Sequence, residues 1–93
     1  MAKPKPEIVG SSVVRLLREK RVAKGLSMYA VAKRARLSHS MISRVEHEQR
    51  RPTLDTLLRI TEAMEIDLWP LLKIAEQKAG HDFKSPSPRF PQS

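Results

Sequence analysis

The tightest constraint in this chain is a spacing. Ser27 and Ser38 stand eleven residues apart, each just ahead of a short run with helical apolar period. A serine oxygen accepts one of the orphan amides at a helix start, so both positions predict N-caps. The interval leaves room for one short helix and a turn of about three or four residues. On the second of the two helices, Met41, Ile42 and Val45 fall on one side, and His39, Ser40, Ser43 and Arg44 on the other. Val31, Ala35, Leu37, Ile42 and Val45 supply a shared core, and the small Ala32 lets one helix approach the other. Two helices that cross steeply at a tight turn need that combination.

The rest of the interior is also punctuated as helices. Ser11 or Ser12 is expected to cap a first helix that Gly25 ends. Thr53, after Pro52, caps a fourth to about Glu65, with Leu54, Leu57, Leu58, Ile60, Ala63 and Met64 as its buried stripe. Asp67 caps a fifth through about Lys78, with Pro70 tolerated in its first turn. No strand period competes, so the fold class is all-α with five helices. Residues 1–10, rich in Lys and Pro, are expected as a flexible basic arm, 11–79 as the folded domain, and 80–93 as a disordered tail.

Composition narrows the function. The 93 residues hold one domain. The absence of cysteine excludes disulfides, thiolate metal sites and thiol nucleophiles. No His, Ser and acidic side chains fall together as a catalytic set, and no phosphate-binding glycine loop occurs, so neither an enzyme nor a cofactor is expected. His39 and His47 are too far apart and too few for a metal. The longest apolar run, Leu68 to Leu72, is far short of a membrane span, and the N-terminus lacks the apolar stretch of a signal peptide. A cytoplasmic, nucleoid-associated protein is the expectation.

The net charge of +8 is one-sided: residues 12–52 total +8 and residues 53–79 total −2. A basic field confined to the half that holds the paired helices points to a polyanion.

At this level the sequence resembles the Cro/repressor-type, or XRE-like, helix-turn-helix proteins. The likeness runs from about Val14 to Leu72. Its motifs are Arg21 with Gly25-Leu26-Ser27, then Val31-Ala32, Leu37-Ser38, Ile42-Ser43-Arg44-Val45-Glu46, and Arg51-Pro52-Thr53-Leu54 with Thr56-Leu57. The resemblance implies a five-helix lambda-repressor-like domain whose helix-turn-helix is made by helices two and three. It implies a DNA-binding transcriptional regulator, a dimeric repressor, whose third helix enters the major groove. His39, Ser40, Ser43 and Arg44 are then the base-reading positions. Arg44 suits a bidentate contact to guanine, with a phosphate contact as the competing reading. Ser27, Met28, Lys24, Lys33, Arg36, Ser38, Arg50 and Arg51 are the phosphate candidates, and Arg21 and Glu46 an ion pair that orients the recognition helix. Two residues depart from the family pattern. Arg36 stands where the turn usually has Gly, which implies a strain cost of about 1 kcal/mol. Met28 stands where a phosphate-binding Gln is common.

Trp69, Leu71, Leu72 and Ile74 exceed what a small core needs and are expected at a homodimer interface, with burial in the monomer as the alternative. A two-fold dimer implies a pseudo-palindromic operator on double-stranded DNA. A competing function is an antitoxin-like module that binds a protein partner and represses its own operon. A basic peripheral membrane protein ranks last, because the apolar stripes are needed inside.

Overall fold

The computed structural model describes residues 4–83, which form five α-helices. They are α1 (Lys5–Ala23), α2 (Met28–Ala35), α3 (His39–Glu46), α4 (Leu54–Ala63) and α5 (Leu68–Phe83). No strand occurs among the described residues. α1 lies along α5, and α2 packs on both α3 and α4. The core between them is aliphatic: Val13, Val14 and Leu17 from α1, Val31 from α2, Ile42 and Val45 from α3, Ile60 and Met64 near α4, and Leu68, Leu71 and Ala75 from α5. Ala32 and Ala35 are buried too, and their small side chains permit the close crossing of α2 and α3.

Each of three helix starts has a local cause. Ser27, Ser38 and Thr53 accept from the amides of Ala30, Met41 and Thr56 at 3.0, 3.0 and 3.1 Å. The ends share one device. After α1 to α4 the chain passes through a left-handed residue, Gly25, Arg36, Glu48 and Glu65, with φ between 56° and 68°. The next amide then reaches back across the helix end: Leu26 to Arg21, Leu37 to Ala32, Gln49 to Arg44 and Ile66 to Thr61, at 2.8–3.1 Å. Leu26, Leu37 and Ile66 also pack against the core, the apolar contact that accompanies this motif.

Four expectations need correction. α1 begins at Lys5, not at Ser11 or Ser12, which lie inside the helix. Residues 5–10 are therefore helical and form no flexible arm. Pro4 precedes the first turn and Pro6 and Glu7 lie in it. A proline there loses no intrahelical bond, and an acidic side chain suits the positive helix end. At the other end α5 runs to Phe83, so residues 80–83 are helical; residues 1–3 and 84–93 lie outside the described residues. On α4, Leu54 and Leu58 face solvent, while Thr56 and Thr61 are buried in their stead. Thr61 is accommodated because its hydroxyl donates to the carbonyls of Leu57 and Leu58, both at 3.1 Å. On α5, Leu71 is a core residue, 2% exposed, and no part of a surface patch.

Candidate nucleic-acid interface

α3 is short and has one polar side. At about 100° per residue, His39, Ser43, Ser40 and Arg44 cover a continuous arc opposite Ile42 and Val45. His39, Ser40 and Arg44 are exposed and Ser43 is half-buried, while Ile42 and Val45 are fully buried. His47 falls in the same arc, one turn beyond Ser43. Its Nδ1 donates to the Ser43 carbonyl at 2.7 Å, and the ring is thereby tied back to the helix end. The face is thus polar along its whole length and rests on a hydrophobic underside.

What holds that face is an ion pair. Arg21 Nε and Nη2 donate to the two carboxylate oxygens of Glu46 at 2.6 and 2.9 Å, a fork on a fork. The third contact of the guanidinium, from Nη1 to the Leu26 carbonyl at 2.7 Å, fixes it to the turn before α2. Both side chains are largely buried, at 14% and 10% exposure. Glu46 sits in the last turn of α3, so the pair ties the far end of the polar face to α1.

The other candidates separate into groups. Ser27 and Ser38 are exposed and each caps its helix by accepting an amide, which leaves the hydroxyl hydrogen for an outside acceptor. Neither α2 nor α3 has an acidic residue in its first turn to neutralise the positive end. The Met28 side chain packs partly against the core, and its backbone amide, at the first position of α2, has no intrahelical acceptor. Next to it Tyr29, a position that side-chain period alone does not single out, is 66% exposed and brings a phenol to the first turn of α2. Lys24, Lys33, Arg50 and Arg51 are exposed. Arg36, left-handed at φ 58°, lines a groove with Arg34, Asp55, Arg59 and Glu62, on the α4 side of the turn.

The expected dimer residues do not share one face. Leu71 is in the core and Leu72 is half-buried beside a cavity between α1, α4 and α5. Trp69 and Ile74 are exposed but lie about 140° apart around α5. Trp69 is covered in part by Lys73, whose ammonium lies 5.6 Å from the ring centre.

The model of a helix-turn-helix family, of the XRE type, matches residues 17–68, more than half of the chain. The chain belongs to the XRE-type helix-turn-helix family. It is a DNA-binding transcriptional regulator. Among solved structures it is similar to the wild-type restriction-modification controller protein C.Esp1396I, with a TM-score of 0.68 and 23% identity over 75% of this chain and 95% of that one. A tyrosine-to-alanine mutant of the same controller protein aligns with a TM-score of 0.68 and 19% identity, over 83% of this chain and 97% of that one. These likenesses are of fold. No curated protein matches the sequence. Within the family region, α2 and α3 are the helix-turn-helix, and the ion pair of Arg21 with Glu46 joins α1 to the end of α3. The match leaves out the first twelve residues of α1 and nearly all of α5. No helix of the described residues is long and apolar enough to cross a membrane.

Proposed function

We propose that this regulator is a cytoplasmic, nucleoid-associated repressor that reads a specific double-stranded sequence by seating α3 in the major groove. The observation that carries the reading is the single polar face of α3, held rigid by the Arg21–Glu46 fork. His39, Ser40, Ser43 and Arg44 are the base readers, and Arg44 is the one that donates twice to one guanine. Ser27, Ser38 and the amide of Met28 supply hydrogen bonds to phosphate at the two helix starts. Lys24, Lys33, Arg36, Arg50 and Arg51 supply the charge. With about four to six phosphates engaged, affinity falls with salt at a log–log slope of roughly −4 to −5 per subunit. No catalytic step is assigned to the chain.

The protein acts as a homodimer. Support comes from exposed apolar side chains that a monomer leaves uncovered: Leu54 and Leu58, one turn apart on α4, and Trp69 at the start of α5. Leu58 is ringed by groups of both signs, Asp55, Arg59 and Glu62 beside Arg34 and Arg36, which supplies opposite charges to meet across a two-fold axis. This surface replaces the patch expected on α5 alone. Two such subunits read half-sites about one helical turn of DNA apart. Site selection from random duplexes tests the reading: an enriched pseudo-palindrome supports it, and salt-governed binding with no enriched motif overturns specific readout.

A further inference from the structure

Of the five cationic side chains expected at phosphates, Arg51 alone is already bound to an anion among the described residues. Its Nη2 donates to Glu7 Oε1 at 2.7 Å across 44 residues of sequence. Among the described residues, Lys24, Lys33, Arg36 and Arg50 make no ion pair. We propose that the Glu7 carboxylate occupies the place of a DNA phosphate oxygen on Arg51, and so acts as an intramolecular competitor that lowers and tunes operator affinity. The proposal rests on the DNA-binding reading above.

Both ends of the pair are held by backbone. Pro52 restricts Arg51 to an extended conformation and starts the entry into α4. Glu7 stands in the first turn of α1, a helix that Val9, Val13 and Leu17 fix to the core. The contact therefore needs only side-chain order. It adds little to stability, because Arg51 is 79% exposed and a solvated pair of this kind is weak. A weak, exposed pair is the kind that a phosphate can displace. A guanidinium N–H donates to a carboxylate oxygen and to a phosphate oxygen alike, so the two anions compete for Nη2 of Arg51. The loop that carries Arg51 follows α3, which puts the exchange next to the reading helix. Glu7 lies outside the family-matched region 17–68, so it adds to the shared helix-turn-helix and is no part of it.

The exchange leaves a bare carboxylate near the duplex. That carboxylate repels phosphate and retains a cation there, which lowers the number of counterions released. Glu7→Gln removes both effects. It is expected to tighten binding to the selected duplex about threefold and to steepen the salt slope by up to about 0.9. The added positive charge of Glu7→Gln acts at a distance as well, so the decisive measurement is the cycle with Arg51→Gln. The gain must shrink in the Arg51→Gln background, and the slope must flatten by about 0.9 from Glu7→Gln to the double variant Glu7→Gln/Arg51→Gln. Circular dichroism and thermal unfolding of each variant establish that α1 is intact. Unchanged or weaker binding by an intact Glu7→Gln protein overturns the proposal, as does a gain of equal size with and without Arg51. A wild-type chain that binds no duplex overturns the DNA reading as well, so the two failures are told apart.

Discussion

Side-chain period predicts a face on both α3 and α5, and only α3 has the face expected of it. On α3 the four base-reading candidates share one arc, with Ile42 and Val45 beneath them. On α5 the four dimer candidates scatter to the core, a cavity wall and two flanks. The difference lies in contrast. α3 alternates polar and apolar sides, so one orientation buries it at low cost. The start of α5 is apolar nearly all round, and periodicity does not say which side meets the core. The contact with α1 decides, and it selects Leu68, Leu71, Ala75 and Ala79. A face is legible in sequence where the wrong orientation would bury charge, and illegible where every orientation buries something apolar.

The sharpest way to break the ordered face of α3 is to remove its tie. Arg21→Ala leaves Glu46, 10% exposed, without its partner. Loss of one member of a buried pair costs about 3–5 kcal/mol, which urea denaturation measures. Arg21→Lys keeps the charge and loses the fork, so it should fall between. An Arg21→Ala protein as stable as the wild type would mean that α3 is held by its apolar underside alone.

The assignment on α5 is tested by a pair of substitutions. Leu71→Ala opens a cavity in the core and costs about 3 kcal/mol. Trp69→Ala changes monomer stability by about 0.5 kcal/mol or less, because the ring is 65% exposed. It should instead shift the solution mass from twice 10.6 kDa toward one chain. Equal effects on stability would put Trp69 back in the fold and remove it from the dimer.

The reading face itself gives the next effect in size. Arg44→Ala is expected to lose about 2 kcal/mol of discrimination at one base pair in each half-site. A competition series with single-base variants of the operator measures it. Uniform weakening on every sequence would make Arg44 a phosphate contact.

Much of the architecture was legible for local reasons: Ser27, Ser38, Thr53 and Gly25 each do at a helix end what their chemistry dictates. The start of α1 is hidden in the sequence because Lys3-Pro4-Lys5-Pro6 reads as an arm by composition. Its helix signal is positional, prolines before and within the first turn and Glu7 at its N-terminal end. The exposure of Leu54 and Leu58 is not legible in sequence, because hydropathy favours a stripe through the leucines, and the two buried threonines carry hydroxyls that local hydrogen bonds satisfy.

The smallest predicted effects concern the four left-handed residues, where one geometry meets four side chains. Gly25 adopts it freely; Arg36, Glu48 and Glu65 each carry backbone strain. Replacement of any of these three by Gly should raise stability by about 0.5–1 kcal/mol, the strain relieved less the extra freedom of the unfolded chain. The converse, Gly25→Ala, should cost about 1 kcal/mol through backbone conformation alone, since nothing lies within 4 Å of the added carbon. Arg36 and Glu65 then separate the two halves of the molecule. Glu65→Gly, between α4 and α5, should stabilise the fold and leave the salt slope for DNA unchanged. Arg36→Gly, in the turn of the helix-turn-helix, should stabilise it while flattening that slope by about 0.9. An unchanged slope for Arg36→Gly would assign its charge to the groove it shares with Asp55 and Glu62, and hence to the contact between subunits.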